Sequence, residues 1–212
     1  MKFVINLAHR LDRYHEFCKN MLEMNMNLQE IKKFDAVYDK DFGGLGCAKS
    51  HSAVLNLFLT NSDLSEKYCV VFEDDFKLRV DAVNIELTIK KVETLNINWK
   101  VILLSGANTI SFPKNNDELI EIFESQTASG YIVKREYIPI LLNVINNSII
   151  WMEKYRQMQP RNSIYHAYAI DQVWKPLQRE GGWYSTNPML GYQTESFSDI
   201  EQQIVNYSNL SS

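Results

Sequence analysis

Tyr68–Asp75 reads YCVVFEDD: an unbroken apolar, β-favouring run that passes directly into three carboxylates. A run without polar alternation suits a strand covered on both faces, the usual situation in an α/β sheet with helices on each side. Glu73, Asp74 and Asp75 therefore stand where a buried strand ends. Adjacent carboxylates repel one another, and such a group is tolerable chiefly where a cation sits among them. Alternate residues share a side of an extended chain, so Glu73 and Asp75 are expected to face one divalent metal together; hard oxygen ligands favour Mn²⁺ or Mg²⁺. A solvated acidic turn is the plainer alternative for the same three residues.

Working outward, Lys2 to Leu7 reads as a first strand and Asp12 to Met24 as a helix, followed by a short strand near Phe34 to Tyr38. Asp39 to Gly46, with three glycines, predicts a flexible loop, and Ser50 is placed to cap a helix running to Leu59. Beyond the acidic group, Ile85, Ile89 and Val92 have helical spacing and Val101 to Leu104 reads as another buried strand. A Pro-containing loop over Ser111 to Glu118, a strand over Ala128 to Val133 and a helix over Tyr137 to Ile145 follow, with Pro139 in its first turn. Ile170 to Leu177 reads as a short helix interrupted at Pro176, and Met189 to Tyr192 as a last strand. Alternating strands and helices predict an α/β fold with a mainly parallel central sheet flanked by helices, whose ligand site lies outside the carboxyl ends of the strands. The length of 212 residues suits one domain, divided into a first part over about 1–110 and a second over about 111–212.

Composition narrows the functional classes. A net charge of −4 with scattered Lys and Arg gives no field to draw a polyanion, so nucleic acid is not an expected partner. No apolar run is long enough to span a bilayer, and the short apolar start does not make a secretory leader, which predicts a cytosolic protein, free or peripheral to a membrane. Cys18, Cys47 and Cys69 are odd in number and lack CxxC spacing, an argument against a disulfide framework and a thiolate zinc site. GGLGCAKSH, from Gly43 to His51, is neither a P-loop nor a dinucleotide fingerprint, and neither an HExxH nor a GxSxG motif occurs.

Arg10 and Arg13 follow the first strand closely enough to aim guanidinium groups at a diphosphate. Asp171, in HAYAIDQVW, sits among apolar residues; it is suited either to accept a proton from a hydroxyl or to cap the next helix. Tyr131, Trp174 and Trp183 offer flat faces for a sugar, or core packing.

Taken in order, VINLAHRLDR, FDAV, GLGCAKSH, VVFEDD, TASGYIVKR, IDQVW and a FSDI tail resemble the pattern of glycosyltransferase family 25 across almost the whole chain. The resemblance implies a GT-A-like nucleotide-sugar-binding fold, a UDP-sugar donor with Mn²⁺, and inverting transfer of a hexose, commonly galactose, to a hydroxyl of a glycan or glycoconjugate. By motif position it implies Asn6, Arg10, Arg13, Ser50 and His51 as donor-binding residues. Glu73 and Asp75 become the metal ligands, and Asp171, with Asp74 as second candidate, the catalytic base. His9 and Leu11 stand where the family often has a basic residue and a proline, and Ala48-Lys49 fills a place that is usually apolar. A sugar-phosphate nucleotidyltransferase and a non-catalytic nucleotide-sugar-binding module are the competing expectations.

Overall fold

The computed structural model describes residues 1–113, 118–157 and 166–194, together with the backbone of 196–198 and 203–205. Eight strands form the central sheet: β1 (Lys2–Asn6), β2 (Ile31–Asp35), β3 (Tyr68–Glu73), β5 (Val101–Leu103), β6 (Ala107–Ser111), β7 (Leu119–Gln126), β8 (Gly130–Lys134) and β9 (Trp183–Thr186). Their spatial order is β2-β1-β3-β8-β5-β9-β7-β6. The strand β4 (Phe76–Leu78) pairs outside this sheet with β10 (Gly191–Gln193). Following the pairings across, β7 and β8 run opposite to the other strands, so six of the eight point one way. The sheet is mostly parallel in direction, although the reversed β8 and β7 each pair antiparallel on both sides.

The strand β3 shows why the chain folds in three layers. Cys69 and Val71 point to one face, into a cluster with Leu45, Val54, Leu55 and Phe58 of α2 (Gly43–Asn61) and Leu141 and Ile145 of α4 (Ile138–Tyr155). Val70 and Phe72 point to the other face and meet Phe17 and Met21 of α1 (Leu11–Glu23) and Ile85, Ile89 and Val92 of α3 (Val83–Thr94). Both sets are buried, which is why the strand carries no polar alternation; each fully buried large side chain stabilises the fold by roughly 1.5–3 kcal/mol.

Several expectations are corrected. Gly43 to Gly46 is not a loop but the first turn of α2, and Ser50 lies inside that helix, not at its cap. Tertiary packing overrides the low helix propensity of glycine here: a Cβ on Gly46 would lie 2.5 Å from the Val37 carbonyl, so this turn presses on the preceding backbone. The second strand lies about three residues earlier than expected. Part of the expected 111–118 loop is strand, Ser111 closing β6, while residues 114–117 lie outside the described residues. Ala169, not Asp171, caps the short helix Ile170–Val173, and Pro176 sits in the first turn of a separate helix, Lys175–Arg179. Tyr131, Trp174 and Trp183 are fully buried in edge-to-face contacts, so they are core and offer no sugar platform. Of the FSDI tail, Phe197 and Ser198 are strand backbone, whereas Asp199 and Ile200 lie outside the described residues.

No helix among the described residues is long and apolar enough to cross a membrane. All three cysteines are free. Cys69 is fully buried, and that burial pushes its thiol up to about 12. Because the thiolate is the nucleophile, at pH 8 only about one Cys69 in 10⁴ is reactive even before access is considered. Iodoacetamide at that pH is expected to leave Cys69 unmodified in the native protein and to label it in guanidinium; peptide mass mapping reads the difference, and rapid native labelling would refute the packing described.

Candidate active site

The two-residue period of β3 distributes the acidic group between layers. Glu73, on the same face as Cys69 and Val71, turns towards α2. Its Oε1 lies 2.9 Å from His51 Nε2 and 3.5 Å from Cys47 Sγ. Asp74 turns towards α1, where its Oδ2 accepts from Asn6 Nδ2 at 2.7 Å and its Oδ1 pairs with Arg13 at 2.6 Å. The strand stops at Glu73, and Asp74-Asp75 form a turn into β4. That turn breaks the alternation: Asp75 does not accompany Glu73 but shares Arg13 with Asp74, also at 2.6 Å, and accepts from Gln193 Nε2 at 3.0 Å.

Neither Asp74 nor Asp75 is near solvent, contrary to what a strand-end acidic turn suggests; they are 8% and 9% exposed. Burial pushes Asp74 up to about 7, with the charges of Asp75 and Glu73 adding to the rise and Arg13 and Asn6 opposing it. Asp75 is raised for the same primary reason. For Glu73, burial also acts upwards, but the His51 hydrogen bond and charge, with Arg13 behind them, hold it below the ordinary glutamate value. Burial disfavours the Arg13 charge, yet Asp75, Asp74 and Glu73 outweigh it and raise its pKa. The centre thus gathers three carboxylates about one guanidinium in a place poor in solvent, where charge is costly unless it is paired.

Asp171 arrives from the opposite end of the chain. Its Oδ2 accepts from the Thr127 backbone N–H at 3.0 Å, and burial raises its pKa. Thr127 holds a φ of 72°, an unusual conformation for a β-branched residue, and its Oγ1 donates to Gln193 Oε1 at 2.7 Å. Gln193 in turn reaches Asp75. One strained residue therefore links Asp171 to the acidic turn through a single amide side chain. Gln193 is carried there by β10, whose approach requires Gly191: a Cβ at that position would lie 2.3 Å from the Phe76 ring and 2.6 Å from the Lys77 carbonyl.

Of the residues singled out from sequence, Asn6, Arg13, Asp74 and Asp75 are brought into one hydrogen-bonded cluster, which Asp171 joins through Thr127 and Gln193. His51 and Glu73 form a second group on the other side of the strand end, coupled to the first through the charge of Arg13. Arg10 lies at the margin of the first cluster, where its guanidinium grips Asp12 at 3.0 Å and its carbonyl accepts from Asn6. Ser50 is fully buried and spends its hydroxyl on backbone, donating to the Gly46 carbonyl and accepting from Val37 N–H. It secures the start of α2 and presents no free face to a ligand. Sequence reasoning missed Thr127, Gln193 and the Tyr131 hydroxyl beside His51. Their roles depend on contacts between distant segments, and only the i,i+4 spacing of Cys47 and His51 left a readable sign of a shared helix face.

No family model matches the chain, and no curated protein matches it in sequence. Solved structures do. A glycosyltransferase involved in glycosylation of the major capsid of PBCV-1 superposes with a TM-score of 0.45 at 7% identity, covering 95% of each chain. Mouse xyloside xylosyltransferase 1 gives 0.45 at 7%, covering 91% of this chain and 83% of that one. Mannose-1-phosphate geranyltransferase from Thermus thermophilus gives 0.41 at 8%, covering 78% of this chain and 52% of that one. This chain therefore spans only about half of that last structure. Likeness at this level concerns broad α/β architecture and carries no activity across.

Proposed function

We propose that the chain is a metal-dependent, inverting glycosyltransferase of GT-A-like fold that moves a hexose, galactose or glucose, from a UDP-sugar to a hydroxyl of a glycan or glycoconjugate. The observation that carries the reading is the gathering of four buried or half-buried carboxylates, Glu73, Asp74, Asp75 and Asp171, about the carboxyl end of β3, with Arg13 bridging Asp74 and Asp75. The family 25 motifs and their order support it.

The residues fit a hard divalent cation. Asp75 Oδ1 and Asn6 Oδ1 are buried oxygens without a hydrogen-bond partner, and the donor set on this side is oxygen alone. Asp75 and the Asn6 oxygen would hold Mn²⁺ or Mg²⁺, and Glu73 would join them by turning its other carboxylate oxygen away from the His51 side; the bound cation would supply Lewis-acid stabilisation of the diphosphate leaving group. The chain's own groups do the rest. Arg13 supplies a guanidinium for phosphate oxygens, with Arg10 at the outer edge. His51 acts on the donor through Glu73, whose oxygen it holds, and Ser50 through the α2 turn. Asp171, its carboxyl raised by burial and fixed by the Thr127 N–H, removes the acceptor proton as the hydroxyl attacks the anomeric carbon from the face opposite the diphosphate. Asp74 is the second candidate for that base.

Product analysis tests the proposal. Incubated with UDP-galactose or UDP-glucose, Mn²⁺ and an array of glycan acceptors, the protein is expected to release UDP and lengthen an acceptor. Pyrophosphate released from UTP and a sugar 1-phosphate would instead establish a nucleotidyltransferase, and nucleotide-sugar binding without either product a non-catalytic module.

A further inference from the structure

Beside the oxygen-lined site lies a second set of ligand atoms with different chemistry. Cys47 and His51 are four residues apart on α2, so both side chains project from one face of the helix. Both approach the same atom, Glu73 Oε1, and the three potential ligand atoms lie within 4.8 Å of one another.

We propose that Cys47, His51 and Glu73 bind one thiophilic divalent cation, Zn²⁺ as the best fit, with a fourth position left for water, at a site distinct from the hard-cation site assigned to Glu73 and Asp75. The spacing suits it. Tetrahedral zinc with bonds of about 2.3 Å to sulfur and about 2.0 Å to oxygen sets S and O about 3.5 Å apart. Cys47 Sγ and Glu73 Oε1 are 3.5 Å apart. The corresponding N···O separation is about 3.3 Å, and His51 Nε2 has to move out only slightly from its 2.9 Å.

The surroundings supply what a zinc-bound histidine requires, a partner that holds its second nitrogen. Tyr131 Oη lies 3.0 Å from His51 Nδ1, inside the core. In the metal-free chain the Glu73 carboxylate can only accept, so His51 donates to it from Nε2, with Nδ1 against the Tyr131 hydroxyl. With a cation bound, the Nε2 lone pair faces the metal, Nδ1–H donates to Tyr131 Oη, and the cation displaces the Cys47 thiol proton to solvent. Thiolate and carboxylate then balance the double charge of the cation. That neutrality matters, because burial first, and then Glu73, Asp171 and Asp75, push the Cys47 thiol well above its ordinary value, so a thiolate is tolerable there only with a cation beside it. Sulfur and imidazole select Zn²⁺ over Mg²⁺ or Mn²⁺. Glu73 would be common to both sites, its Oε1 turned inward to this one.

The proposal does not rest on the transferase reading, and its test uses the whole 212-residue chain. Chelator-stripped protein is titrated with Co²⁺ and then Zn²⁺. One equivalent of Co²⁺ is expected to produce the visible bands of a four-coordinate site with a sulfur-to-cobalt charge-transfer band in the near ultraviolet, all removed by one equivalent of Zn²⁺. Cys47→Ser is expected to lose the charge-transfer band and His51→Gln to weaken uptake at least tenfold. Asp75→Asn is expected to keep the band while losing Mn²⁺-dependent UDP-sugar binding, which separates failure of this site from failure of the other. Should Cys47→Ser not fold, persistence of the band in a Cys18→Ser, Cys69→Ala double variant assigns the sulfur by elimination. No charge-transfer band in the unmodified protein, or a band that survives in folded Cys47→Ser, overturns the proposal and leaves a hydrogen-bonded cluster.

Discussion

Asp75→Asn is expected to lower Mn²⁺-dependent UDP-sugar affinity by about two orders of magnitude or more while the protein stays folded. Groups that merely orient a metal's ligands commonly cost about 10–100-fold in affinity when removed, and a carboxylate assigned to the cation itself should cost at least as much. The fold should tolerate the change for a reason visible in the site. Asp75 is a buried carboxylate whose charge is penalised by desolvation, Arg13 keeps Asp74 as a partner, and an Asn can still meet Gln193. Calorimetric titration with and without Mn²⁺ reads the affinity and circular dichroism the fold. Unchanged affinity in a folded variant would remove Asp75 from the metal site.

Asp171→Asn is expected to divide binding from chemistry in the other direction. Donor affinity should remain within a few-fold of the unmodified protein, because Asp171 is tied to the Thr127 N–H, outside the contacts that join Arg13 and Asn6 to Asp74 and Asp75. Transfer should fall by about 10²–10⁴-fold, the range a positioned general base contributes. The amide keeps an oxygen for the Thr127 N–H, so lost activity would reflect lost basicity more than a displaced loop. Near-original turnover would shift the role of base to Asp74, where Asp74→Asn offers the same test.

The acidic group was readable from YCVVFEDD because burial on both faces demands a continuous apolar strand, and the end of such a strand is a natural place for charge. Where its three carboxylates point was only half readable. Alternation correctly sends Glu73 and Asp74 to opposite layers, yet the turn into β4 gives Asp75 to Arg13 and Gln193 instead of leaving it beside Glu73. The glycines before Cys47 misled for a related reason. Local propensity favours a loop, but close approach to the Val37 carbonyl makes glycine the residue that lets α2 begin there.

From its amino-acid order alone the chain specifies alternating strands and helices, a strand buried on both faces, and carboxylates collected at that strand's end, since each of these follows from periodicity within a few neighbouring residues. Tertiary structure alone decided that β7 and β8 run backwards in the sheet, that Tyr131 supports His51 from the core, and that Thr127 and Gln193 couple Asp171 to the acidic turn. The side-chain hydrogen bonds among these join residues 44 to 118 apart along the chain. No local pattern encodes them, because the energy that sets them comes from packing and hydrogen bonds formed only once the layers have closed.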